Sequence, residues 1–225
     1  MKIGIITYWW SEDNYGSILQ CYALQKYLRD AGYDAYLIRY DARKDETKNP
    51  NWTRLLKILN PVKLLRFLFY QKSRIIYILK KKNNPRNFDY FRNKYINQSE
   101  KTYYSYNELV NNPPEADVYI VGSDQMWNFN NLPLGKIKDK FLACFLSFGD
   151  ADVKRISYAV SFGNEKLNDD FVQEISLQLK KFDYISVREK SGIDICKQCG
   201  IHNAKWVPDP TMLLDADVYR TLYKN

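Results

Sequence analysis

Histidine is almost missing from this chain: His202 is the only one in 225 residues. It stands on a predicted loop after Gly200 and reads as a surface residue, so neither a Cys/His/Asp triad nor a histidine-bound zinc can be assembled around it. Cysteine is scarce too, and four residues in a chain of this size do not make a disulfide scaffold. Cys21 and Cys144 lie in apolar contexts and read as small core residues. Cys196 and Cys199 form a single C-x-x-C on a predicted helix, without the second pair that a thiolate metal site would require. No metal and no bound cofactor is therefore expected. No apolar run reaches the roughly 18 residues needed to cross a bilayer. The N-terminus enters a strand directly and leaves no room for a signal peptide, so the expected location is the cytoplasm. There is no internal repeat, no low-complexity linker, no P-loop and no G-x-G-x-x-G.

What is present is globular in kind. Hydrophobic residues make up 45% and charged residues 27%, which excludes a disordered chain, and the length suits one substantial domain. Nineteen tyrosines raise the aromatic content to 16%. They offer stacking faces for a sugar or a base, or amphipathic packing at the core boundary.

The net charge of +8 is concentrated in one place. Residues 54–94 hold twelve basic residues against one acid, Asp89, a surplus of about +11, which leaves the remainder of the chain near −3. This stretch interleaves apolar and basic residues at helical spacing: Leu64, Leu65, Leu68 and Phe69 share a face, with Lys63 and Arg66 elsewhere on the wheel. Pro61 divides it, which predicts two helices rather than one. Three readings stay open: a helical insertion packed on the parent domain with a solvated basic face, peripheral contact with an anionic membrane or a lipid-linked substrate, and a polyanion track.

The rest alternates strands and helices. Residues 2–7 read as a strand, 17–31 as a helix with Gly32 just past its end, and 35–40 as a second strand, together a strand-helix-strand unit with a parallel pair. Further strands are predicted at 118–121, 155–160, 184–187 and 205–207, with helices at 169–182 and 189–199. This pattern predicts a three-layer α/β fold around a parallel sheet.

In such a sheet ligands collect beyond the carboxyl ends of the strands. Three segments fall there. Asp13, Asn14, Tyr15, Gly16 and Ser17 precede the first helix, where unpaired N–H groups and the helix dipole suit an anion or a sugar hydroxyl. The same residues could simply cap the helix through Asn14 or Ser17. Gly122, Ser123, Asp124, Gln125, Trp127 and Asn128 follow the strand at 118–121 as a dense polar cluster that packing does not explain. Arg188 and Glu189 follow the strand at 184–187: Arg188 could hold a carboxylate or phosphate in its fork, or form a local pair with Glu189.

Taken in order, the stretches IGIITYWWSEDNYGSILQCYALQKYL, ADVYIVGSDQMWN, RISYAVSFG, YISVREKSG and VPDPTMLL resemble the polysaccharide pyruvyl transferase family. The resemblance implies two Rossmann-like halves facing across a cleft in a GT-B-like arrangement. It also implies transfer of a pyruvyl group from phosphoenolpyruvate, the donor, to a sugar of a cell-surface polysaccharide or its lipid-linked precursor. Such relatives continue well past the segment that is Asp209-Pro210-Thr211 here, into a Ser-Phe-His-Gly-like motif and the basic residues expected to grip phosphoenolpyruvate. The expectation is therefore a Rossmann-like N-terminal domain over residues 1–215 with an insertion at about 52–100, and the start of a second domain at 216–225. On this expectation the chain carries the acceptor side of the cleft, and a separate C-terminal half would complete it. The acceptor would be a glycan or lipid-linked oligosaccharide, met in the cytoplasm or at the inner face of the membrane. The alternatives are a catalytically inactive glycan- or glycolipid-binding domain and, less favoured for want of a nucleic-acid-binding fold, a nucleic-acid binder acting through residues 54–94.

Overall fold

The computed structural model describes residues 1–11, 13–42, 87–128 and 139–222. Its centre is a seven-stranded sheet in which every pairing is parallel. The strands are β1 (Lys2–Ile6), β2 (Asp34–Tyr40), β3 (Gln98–Tyr103), β4 (Val118–Val121), β5 (Lys154–Val160), β6 (Tyr184–Val187) and β7 (Lys205–Trp206). The helices are α1 (Tyr15–Asp30), α2 (Phe88–Tyr95), α3 (Tyr106–Asn111), α4 (Asp139–Cys144), α5 (Asp169–Leu179), α6 (Lys190–Gln198) and α7 (Ala216–Leu222). A 3-10 turn at Pro210–Met212 precedes α7.

The strand order is β3-β2-β1-β4-β5-β6-β7. The chain winds outward from β1 through β2 to β3, then returns to the other side of β1 and winds outward again. A doubly wound sheet of this kind opens a crevice where the direction reverses, between the carboxyl ends of β1 and β4.

Apolar alternation along the strands builds one core on each face. Ile3, Ile5, Val118 and Ile120 meet Leu24 of α1 on one side. Ile6, Tyr119 and Val121 meet Phe145, Phe171, Ile175, Leu179 and Ile195 on the other. Full burial of such a side chain stabilises by about 1.5–3 kcal/mol, so these two layers dominate the fold energetically. Among the described tyrosines several pack against the core and tie down loops through their hydroxyls: Tyr36 donates to the Glu115 carbonyl at 2.8 Å, Tyr119 to that of Pro114 and Tyr106 to that of Ser147.

The ends of α1 are set locally. Asn14 is the N-cap, its Oδ1 accepting the Ser17 N–H at 3.3 Å. Gly32, at φ +88°, lets Tyr33 N–H reach back to Leu28 and Gly32 N–H to Arg29, which closes the helix.

Two expectations about domain bounds fall only partly on the described residues. The predicted insertion at 52–100 lies largely outside the described residues, and so do the paired basic helices. Within its last part, however, 87–95 carry the N-cap and turns of α2, and Gln98–Tyr103 is an edge strand of the sheet itself, paired with β2. The stretch predicted to open a second domain, 216–225, is described as far as Leu222 and forms α7. Val218 and Leu222 of α7 pack with Leu214 on a cluster containing Ile18, Tyr22 and Phe88. Among the described residues no helix is long and apolar enough to cross a membrane.

Candidate functional site

The three strand-end segments meet at Ser123 and Asp124. Gly122 continues the β1–β4 pairing, its N–H donating to Ile6 at 2.8 Å, and a Cβ at this position would come within 3.1 Å of the Thr7 side chain. The Thr7 hydroxyl donates to the Ser123 carbonyl at 2.8 Å and accepts from Gln20 Nε2 at 2.8 Å, which locks the two loops and α1 together in a buried setting. On this base stands Asp124, whose φ of +87° is left-handed and strained for a residue with a side chain. Its main chain is clamped to β5: Ser161 N–H donates to Asp124 O at 2.9 Å, and Trp127 N–H donates to Ser161 O at 3.1 Å. The carboxylate therefore points across the crevice, where its Oδ2 accepts the Ser17 hydroxyl at 2.6 Å from the start of α1.

β5 is distorted opposite this strained position. Its register with β6 shifts between Ser157 and Val160, and Ala159 sits at φ +51°. Side-chain hydroxyls replace ladder bonds there: Ser186 Oγ donates to Ser157 O at 2.8 Å and accepts Ala159 N–H at 3.1 Å, while Ser157 Oγ donates to Ser186 O at 3.0 Å. Bulges re-aim side chains at strand ends, and this one delivers Ser161 to Asp124.

The second half of the site surrounds Ser123. Its hydroxyl donates to Asp209 Oδ2 at 2.8 Å and accepts from Arg188 Nη1 at 3.3 Å. Arg188 bridges Asp209 at 3.2 Å and Glu189 at 3.0 Å. Burial alone would raise the Asp209 carboxyl, but the Thr211 N–H, the Ser123 and Thr211 hydroxyls and Arg188 outweigh it and hold the group below the usual carboxylate range. Burial likewise pulls the Arg188 guanidinium down, and its bonds to Glu189 and Asp209 more than reverse this. Nearby, burial first, then Cys144 and Asp124, push the Tyr8 phenol up.

Of the residues singled out from sequence, Ser17, Ser123, Asp124, Arg188 and Glu189 join this network directly. Gln125 and Asn128 face each other at the rim, with Asn128 Nδ2 donating to Gln125 Oε1 at 2.9 Å. Gly163, at φ +65°, leaves room for that asparagine, since a Cβ there would lie 2.5 Å from Asn128 Nδ2. Asp13, Asn14, Tyr15 and Gly16 are exposed at the mouth, and the Tyr15 ring packs on Phe88 with centroids 4.9 Å apart. Trp127 is placed elsewhere. It is fully buried between Phe145, Phe162 and Phe182, and its indole N–H donates to the Cys144 carbonyl at 3.0 Å. The reason is local: the Trp127 N–H is bound to Ser161 O just past β5, and from there the largest apolar side chain of the loop enters the core.

Sequence reasoning missed Asp209 as the partner of Arg188, although Pro-Asp-Pro directly after the last strand marked it. It also missed Thr7, Gln20 and Ser161, which a linear reading has no means of bringing to one place. Cys196 and Cys199 are buried free thiols, pushed up to about 12 and about 11 by burial, with Cys199 adding to the shift of Cys196. Among the described residues no group of three or more His, Cys, Asp or Glu could hold a metal.

No curated protein and no solved structure matches the chain significantly. The family model for polysaccharide pyruvyl transferase matches residues 14–224, which takes in α1, the Gly122–Asn128 loop, Arg188 and Asp209. With nearly its whole length covered, this chain belongs to the polysaccharide pyruvyl transferase family.

Proposed function

We propose that this protein serves the transfer of a pyruvyl group from phosphoenolpyruvate to a sugar of a cell-surface polysaccharide or its lipid-linked precursor. The observation that carries this reading is the convergence of three strand-end loops on Ser123 and Asp124 at the reversal of the sheet, in a chain of this family. In the reaction the enol methylene of the donor gains a proton, two sugar hydroxyls add to the former enol carbon to form a ketal, and inorganic phosphate leaves. A base must relieve the attacking hydroxyl of its proton. Asp124 suits that role: its carboxylate faces the crevice and its backbone is held rigidly. Arg188 suits the donor. Its fork matches a carboxylate or phosphate, and it can release Glu189, whose side chain is 41% exposed against 24% for Asp209.

The two-halved GT-B-like arrangement implied by the resemblance would set a second Rossmann-like unit, with further basic residues, across this crevice. The basic stretch at 54–94 supports work beside an anionic surface in the cytoplasm, where a lipid-linked acceptor would be presented. The test is incubation with phosphoenolpyruvate and a panel of glycans, following phosphate release and the mass of the glycan. The chain by itself should give little or no product. With the completing half supplied, phosphate released together with a pyruvylated glycan is expected, and Asp124→Asn should abolish both. A glycan that binds without either product would instead identify an inactive glycan-binding domain.

A further inference from the structure

Arg92 sits in α2, outside all three strand-end segments, yet its guanidinium is directed into the loop after β1. The residue is 6% exposed. Nη1 donates to the carbonyls of Trp9 at 3.2 Å and Ser11 at 2.7 Å, and Nη2 pairs with Asp89. That acid side chain is 90% exposed, so the ion pair returns little for burying the cation. The bonds to the loop are where the guanidinium acts. Trp9 is fixed a second time, its indole N–H donating to Tyr40 O at 3.0 Å.

From this anchor a chain of hydrogen bonds leads to the crevice. Ser11 Oγ accepts the Asn14 N–H at 2.9 Å, Asn14 Oδ1 accepts the Ser17 N–H at 3.3 Å, and the Ser17 hydroxyl donates to Asp124 Oδ2 at 2.6 Å. Each link fixes the group that makes the next: the Ser11 backbone sets its hydroxyl, the hydroxyl sets the N-cap, and the N-cap sets the first turn of α1 that carries Ser17.

We propose that Arg92 is a positioning residue that sets the Asp124 carboxylate through Ser11, Asn14 and Ser17. Its catalytic meaning rests on the reading of Asp124 as the base for pyruvyl transfer; the anchor itself does not. A guanidinium is suited to the task because Nη1 donates to both carbonyls while Nη2 holds Asp89, three contacts that a single ammonium nitrogen would have to share.

The experiment compares the full chain with Arg92→Met, Arg92→Lys, Ser17→Ala and the Arg92→Met/Ser17→Ala double variant. Amide hydrogen exchange at residues 9–17 should quicken about tenfold in Arg92→Met while β4 and β5 keep their protection. In the transfer assay kcat should fall about tenfold with KM for phosphoenolpyruvate held, Arg92→Lys recovering part of it. The double variant should be no slower than the slower single variant, since both cut one chain of bonds. Unchanged exchange at 9–17, or losses of kcat that multiply in the double variant, would overturn the proposal. If Arg92→Met does not fold, Arg92→Lys is read in the same way with a smaller effect. A wild-type chain that gives no turnover even with the completing half supplied would count against the transfer reading alone; the anchor would then stand or fall on exchange at 9–17.

Discussion

Arg155 shows how a single charged side chain organises structure on this scaffold. It is buried on β5, and its guanidinium donates to five main-chain carbonyls: Leu146 at 2.9 Å, Phe148 at 2.9 Å, Gly149 at 3.5 Å, Asp150 at 3.0 Å and Val153 at 2.7 Å. One head group thus satisfies most of the connection between α4 and β5. Replacement by methionine keeps the apolar stem but strands several carbonyls without a donor, each costing about 1–3 kcal/mol when buried. Arg155→Met should therefore lose on the order of 3 kcal/mol or more, and Arg155→Lys rather less, because an ammonium still reaches one or two of the carbonyls. Urea denaturation checks this; an unshifted midpoint for Arg155→Met would show that the loop finds other donors. Arg92 applies the same device to the loop after β1. Neither role could be read from sequence, because an arginine in a list of basic residues gives no sign that its partners are backbone carbonyls.

At the scale of elements, legibility followed burial. β1, β2, β4, β5 and β6 announce themselves as apolar runs, and all stand where the pattern predicts them. β3 does not, because QSEKTY is a polar edge strand with only Tyr103 buried, so no alternation marks it. α3 and α4 are six residues each, too short to show a period. The end of α1, by contrast, was marked by a single residue. Gly32 has left-handed backbone geometry and no atom within 4 Å of a built Cβ, so a side chain there would meet no obstacle except its own backbone. Gly32→Ala should accordingly cost about 1–2 kcal/mol, with no change at the crevice on the opposite end of the helix. A loss well above that in chemical denaturation would mean that the turn carries tertiary strain in addition.

At the scale of the whole molecule, the sequence showed which loops follow strands and paired β1 with β2, but not that β1 and β4 are neighbours. Parallel strands with long connections carry no register signal of their own, so the adjacency of β1 and β4, and with it the meeting of Ser17 with Asp124, emerges only from the folded sheet. The same holds for Asp209, which fastens the loop after β7 to Ser123 after β4 and Arg188 after β6. Because these bonds hold its carboxyl below the usual range, the folded protein releases that proton more readily than the unfolded chain does. The sign follows directly: the unfolded state binds more protons between the two values, so stability rises with pH there. The contribution is fully present above the unfolded value of about 3.9 and is lost as pH falls through the folded one. Wild-type urea midpoints should thus hold steady above about pH 5 and drop in more acid solution, with Asp209→Asn lacking part of that drop. The difference between the two curves isolates Asp209 from the other carboxylates. Parallel curves would mean that the fastening of β4, β6 and β7 does not depend on its charge, and that Arg188 is held by Glu189 instead.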